Sequence, residues 1–243
     1  MHHQTRIKSL LTLLVGILLS APALASWNSN DDPFTGPYLG VNVGVNGYYV
    51  NQQSTTPNGL FPQTPAGASA QSTNNPIGVE GGLLLGYGYR LPHHFYLGSE
   101  IYGMLSSAHT NTQSNLVVAP TTSVKQSMPG SYGLNIDPGI FLSKNTLLYF
   151  AVGPVASVFH SSAPTGDAAL AGSSATFTKN VIGAKLGLGM ETNLTQRVNL
   201  RLEYDHSFYP SFNETSTSPT QGQVNSHYQL SNNEMLLSFV FHV

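Results

Sequence analysis

Ile77–Ser106 reads IGVEGGLLLGYGYR, then LPHH, then FYLGSEIYGMLS: two alternating segments joined by a short connection. In the first, Ile77, Val79, Leu83, Leu85, Tyr87 and Tyr89 fall on odd positions. Gly78, Glu80, Gly82, Gly86, Gly88 and Arg90 fall on even ones. In the second, Phe95, Leu97 and Ile101 share a face opposite Gly98 and Glu100. Successive strand side chains point to opposite faces, so each segment has one apolar face and one that is tiny or charged. A soluble sheet buries the first and wets the second. Here the second face carries glycines and isolated charges, as if it lines a narrow, packed, polar space. That arrangement fits a barrel that is apolar outside and polar inside.

Composition supports a membrane setting. Charged residues make up 8% of the 243-residue chain, against about a quarter in ordinary soluble domains. The chain has no cysteine, which excludes disulfides and thiolate metal sites. A net charge of −2 with nine scattered Lys and Arg leaves no basic patch for nucleic acid. Residues 1–25 read as a secretory signal peptide: Arg6 and Lys8, the apolar run Leu10–Leu19, then Ala23-Leu24-Ala25 as cleavage site. No later apolar run is long enough for a spanning helix. Crossing a bilayer then requires strands closed into a barrel, because lipid offers backbone groups no partners.

Residues 26–36 read as a polar periplasmic leader and 37–243 as the barrel. The alternation marks strands at Pro37–Val50, Ile77–Arg90, Phe95–Ser106, Met128–Leu142, Leu147–His160, Lys179–Thr192, Val198–Tyr209 and His227–Val243. A bulge is expected near Gly153-Pro154, since proline disrupts a central ladder. Short connections (Leu91–His94, Ser143–Thr146, Asn193–Arg197) alternate with Asn51–Pro76, Ser107–Ser127, Ser161–Thr178 and Pro210–Ser226. These last four are rich in Ser, Thr, Asn and Gln and read as mobile loops. The expected fold is all-β: an eight-stranded antiparallel up-and-down transmembrane β-barrel with short periplasmic turns and long extracellular loops.

Several motifs carry a family resemblance: Gly36-Pro37-Tyr38-Leu39-Gly40-Val41-Asn42-Val43-Gly44, Leu97-Gly98-Ser99-Glu100-Ile101, Leu200-Arg201-Leu202-Glu203-Tyr204, and an aromatic last strand. With them the chain resembles the small outer-membrane β-barrel superfamily, the OmpA-like or opacity-type surface proteins of Gram-negative bacteria. The resemblance implies residence in the outer membrane, contact with its lipid and lipopolysaccharide, insertion by the barrel-assembly machinery, and no cofactor. Members usually end in Phe or Trp; this chain ends in Val243.

The expected inward charges are Glu80, Arg90, Glu100, Asp137, Lys185, Glu191, Arg201, Glu203 and Asp205. Counting out from the turn at Asn193–Arg197 brings Lys185 near Asp205 and Glu191 near Arg201. A barrel of this size is filled by its own side chains, and charges buried in it must pair. They read as a packed structural network, with a gated ion path as the alternative. Asp205-His206-Ser207 invites comparison with barrel lipid A deacylases, but adjacent residues point to opposite faces, so no catalytic set is expected. The His residues show no metal-ligand convergence. Tyr87, Tyr89, Phe95 and Tyr204, with Phe159, Phe208 and Tyr209 toward the other end, are expected to form interfacial aromatic belts. The long loops suit adhesion, host or matrix contact and envelope integrity. A narrow porin-like channel or small hydrophobic-solute transporter is the alternative.

Overall fold

Valine, leucine and aromatic side chains alternating with Gly, Asn and Ser favour extended backbone, and most of the described residues lie in strands. The structure, a computed structural model, describes residues 32–58, 65–114, 122–162, 177–218 and 222–243. The expected signal peptide and the first part of the leader lie outside these residues. Eight long strands build the wall: β1 (Gly36–Thr56), β3 (Ile77–Arg90), β4 (Phe95–Ser106), β6 (Thr122–Ser143), β7 (Thr146–Ser162), β8 (Phe177–Thr195), β9 (Val198–Phe208) and β11 (Gly222–His242). Each pairs antiparallel with its neighbours in that order, and β11 returns to β1 from Tyr38↔His242 to Thr55↔Asn225. The ring is therefore closed.

Outward residues such as Ile77, Leu105, Ile136 and Ile182 form an exposed apolar band. Inward residues include Tyr38, Asn42, Glu100, Lys185 and Arg201, all buried. The inner glycines make room for tyrosines. A Cβ at Gly86 would lie 2.3 Å from the Tyr38 ring, and one at Gly189 2.1 Å from the Tyr149 ring.

Three of the expected loops differ from the sequence reading, because strands continue into them. Short strands β2 (Ala68–Asn74), β5 (His109–Ser114) and β10 (Phe212–Ser218) pair with β1, β6 and β11 respectively. β2 keeps the register that β3 has on β1, the two being one strand interrupted at Asn75-Pro76. These polar segments have no apolar face of their own; ladder hydrogen bonds to a long neighbour hold them extended. The pairing β3–β4 stops at Glu80↔Ser106, and β8–β9 stops at Ala184↔Phe208. Beyond these points the ring divides into two four-stranded lobes, β5-β6-β7-β8 and β10-β11-β1-β2. Phe159 and Phe177 of one lobe pack on Phe212 and Tyr228 of the other, with ring centroids 5.6–6.0 Å apart.

Two further expectations are corrected. No bulge falls at Gly153-Pro154; the β6–β7 register shifts between Ser127 and Gly130 and between Phe141 and Ser143. A Cβ on Gly153 would sit 1.8 Å from the Leu134 oxygen, so glycine there permits the close approach of β6. Phe159 and Tyr209 do not join an outer belt but are buried inside. Each follows an outward residue, Val158 and Phe208, so strand parity turns it inward.

Candidate functional site

The barrel interior is built in layers, and alternation along β4, β8 and β9 supplies its charged middle. Arg201 on β9 is the hub. Its Nη1 lies 2.8 Å from Glu100 Oε2 of β4, and its Nη2 2.8 Å from Glu191 Oε2 of β8. The guanidinium also lies 5.0 Å from the centre of the Tyr149 ring. Lys185 Nζ stands 2.9 Å from Asp205 Oδ2, 3.5 Å from Glu203 Oε1 and 4.1 Å from the Tyr102 ring centre. Neutral groups complete the shell. Asn135 Nδ2 donates to Glu100 Oε1 at 2.9 Å, Asn199 Nδ2 to Glu191 Oε1 at 2.6 Å, and the Tyr149 hydroxyl to Glu203.

Of the expected inward charges, Glu100, Lys185, Glu191, Arg201, Glu203 and Asp205 come together in this cluster. Glu80 and Asp137 are buried in the same interior, but Glu80 Oε1 and both Asp137 carboxylate oxygens have no hydrogen-bond partner among the described residues. Arg90 departs from the expectation. As the last residue of β3 its long side chain folds over the periplasmic mouth, 2.9 Å from Asp32 and 3.7 Å above the Phe141 ring. Beside it Phe34 of the leader is 1% exposed and packs edge-on against Phe141 at 5.1 Å. Sequence reasoning missed Glu234 and this stopper. Glu234 was findable, since Met235 and Leu237 face outward and parity places Glu234 inside.

Little room is left. The space among Asn42, Glu100, Lys185, Arg201, Glu203 and Glu234 is about 10 Å³, enough for about one water. Above it lie Tyr48, Phe159, Leu230 and Tyr228, and below it Phe34, Tyr96, Phe141 and Leu147, all buried. His206 lies on the outer side, bonded to Asn233 Oδ1 at 2.7 Å, while Ser207 is buried within. The two form no acid–base pair. No grouping of three or more His, Asp or Glu that could hold a metal occurs among the described residues.

The sequence family described as the outer membrane protein β-barrel domain matches residues 11–241. Among curated proteins none matches the sequence. Among solved structures, the chain is similar to the outer membrane protein OprG of Pseudomonas aeruginosa, at 12% identity and a TM-score of 0.61. That match covers 88% of this chain and all of OprG. It is also similar to Ail, the attachment invasion locus protein of Yersinia pestis, at 11% identity and a TM-score of 0.35, covering 83% of this chain and 99% of Ail. At these identities the likeness to OprG is one of fold. With a closed ring of strands, an apolar outer band and a family match over nearly its whole length, the chain belongs to the outer membrane protein β-barrel domain family, an integral protein of the Gram-negative outer membrane.

Proposed function

We propose that the chain is a surface-display protein: a solid barrel that fixes paired hairpins above the membrane for contact with molecules outside the cell. The observation that carries this reading is the filled interior. Lys185 and Arg201 are buried against carboxylates, with about 10 Å³ of space among them and aromatic layers on both sides. Water-exposed hairpins on a rigid scaffold are where binding residues concentrate. The positions of His206 and Ser207 support a non-catalytic role. Glu100, Glu191, Glu203 and Asp205 act structurally, by pairing with Arg201 and Lys185.

The test combines two measurements. Planar-bilayer recordings of the folded protein should show no steady conductance. Deleting residues 57–67, the tip between β1 and β2, should abolish adhesion of cells displaying the protein to an extracellular-matrix surface. This deletion spares Asn51–Thr56, which pair with β2 and, through Thr55, with β11. Steady conductance with adhesion unchanged by the deletion would favour the narrow-channel or solute-transport reading.

A further inference from the structure

The outer face of the wall is apolar, yet it carries an ionisable cluster near its extracellular end. Along β9, Leu202, Tyr204, His206 and Phe208 alternate outward. His206 therefore sits one outward step below the top of the wall, where the β8–β9 pairing stops at Ala184↔Phe208. Asn233 of β11 lies directly opposite His206, and Leu186 of β8 flanks it on the other side. The Tyr204 hydroxyl donates to Asn233 Oδ1 at 2.9 Å, and His206 Nδ1 lies 2.7 Å from the same oxygen. The His206 ring packs edge-on against Phe208, with centroids 4.2 Å apart. Leu186, Leu188, Tyr204 and Met235 surround the cluster and are exposed on the lipid-facing side.

This cluster is only half satisfied. A carbonyl oxygen only accepts, so the Nδ1 that faces Asn233 Oδ1 carries the hydrogen. In the neutral ring that leaves Nε2 as an acceptor, while Asn233 Nδ2 keeps its two donors. Neither atom has a hydrogen-bond partner among the described residues. Hydrocarbon offers such groups nothing, and ionisable residues facing it mark functional contacts. A second feature lies beside them. Gly47 of β1 stands between Asn233 and Ile77, outward in the same alternation as the exposed Val43 and Val45. A Cβ at Gly47 would meet nothing nearer than Ile77 Cγ1, at 3.7 Å. Packing does not demand glycine there. Its missing side chain leaves a notch in the outer surface beside Asn233, bounded by Val45, Ile77 and Met235.

We infer that His206, Asn233 and the notch over Gly47 form a site for one lipid of the outer leaflet, held by the polar groups of its acyl linkage. A carbonyl of the linkage accepts from Asn233 Nδ2, a hydroxyl or amide N–H donates to His206 Nε2, and an acyl chain lies in the notch. Phosphate is a poorer fit. β1 and β11 contain no Lys or Arg, and Lys179, Lys185 and Arg201 of β8 and β9 are committed to carboxylates. The site is separate from the display reading, which concerns the hairpins above it.

The experiment uses the full chain in nanodiscs of equal parts phosphatidylcholine and sphingomyelin. These lipids share a headgroup, but only sphingomyelin carries a hydroxyl and an amide N–H at its linkage. Native mass spectrometry of the released protein should retain sphingomyelin roughly threefold or more over phosphatidylcholine. NMR of isotope-labelled histidine nitrogens should show the His206 Nε2 resonance moving as sphingomyelin is added. His206→Leu and Asn233→Leu should each abolish the preference. Gly47→Leu, which fills the notch and leaves the cluster intact, should reduce it. Ser99→Leu, at an outward position of β4 between Leu97 and Ile101, should leave it unchanged. Heat-modifiable migration on a detergent gel checks that each variant is folded. Equal retention of the two lipids would overturn the inference, since it would point to the shared headgroup or to no site. So would a preference that survives both cluster variants, or one that Ser99→Leu also removes. Dimerisation in nanodiscs that His206→Leu abolishes would assign the cluster to a second copy of the chain, and would overturn it equally.

Discussion

Arg201 and Asp137 are both buried in the same interior, yet they stand in opposite positions. Arg201 bonds two carboxylates from two other strands, whereas neither oxygen of Asp137 has a hydrogen-bond partner among the described residues. Removing one member of a buried pair leaves its partner charged and uncompensated, at a cost of about 3–5 kcal/mol. Arg201→Met is therefore expected to lower the urea midpoint of the barrel in lipid vesicles by that order. Asp137→Asn removes a carboxyl that no described residue hydrogen-bonds, and is expected to leave the midpoint unchanged or raise it. A midpoint that falls for Asp137→Asn as far as for Arg201→Met would show that Asp137 is held by groups beyond those seen. The cluster was partly legible from the sequence. Glu191 and Arg201 lie opposite across a short turn, which counting from the turn brings together. Glu100 reaches Arg201 across the lumen, and only the diameter of the closed ring puts it there.

Among the elements, the β3–β4 hairpin carries an unusual turn. His93 and His94 have φ values of 62° and 66°, and Phe95 N–H bonds back to Pro92 O at 3.5 Å. Two successive left-handed residues match the twist of a hairpin, but the preferred pair there is Asn-Gly. Replacing His93-His94 by Asn-Gly is expected to stabilise the barrel by about 0.5–1 kcal/mol, read as a higher urea midpoint. An unchanged midpoint would mean that the histidines gain as much from their surroundings as they lose in backbone strain. The eight long strands were legible because their apolar period of two is strong and their short connections are unmistakable. β2, β5 and β10 were not, since Ser, Thr, Asn and Gln show no period and their extension comes from a neighbour distant in sequence. Phe159 and Tyr209 misled because aromatic residues near a membrane boundary suggest a belt, although parity already turned them inward.

At the scale of the molecule, the barrel has two structural regions, an ion-paired middle and an aromatic clasp above it, and one buried cluster running from Tyr38 and Val240 to Phe159 and Tyr228 joins them. Arg201, Lys185 and their partners fill the membrane-embedded part. Phe159, Phe177, Phe212 and Tyr228 clasp the lobes above it. Weakening one should leave the other standing. Phe159→Ala, a cavity-forming change worth about 3–5 kcal/mol locally, is expected to make the hairpins sensitive to protease added to intact cells. The lower barrel should keep its heat-modifiable migration on a detergent gel. Loss of both together would show that the two regions fold as one unit.

The stopper at the periplasmic mouth has a consequence in time. Phe34 and its neighbours touch Arg90 on β3, Phe141 on β6 and Asn199 on β9, whose Nδ2 donates to Pro33 O at 2.9 Å. The first described residues thus rest on strands drawn from most of the sequence, and their seat does not exist until those strands stand side by side. Docking of the leader is then a late event of biogenesis. Protection of Phe34 from a periplasmic protease would serve as a chronometer, marking when each newly inserted copy has finished assembling.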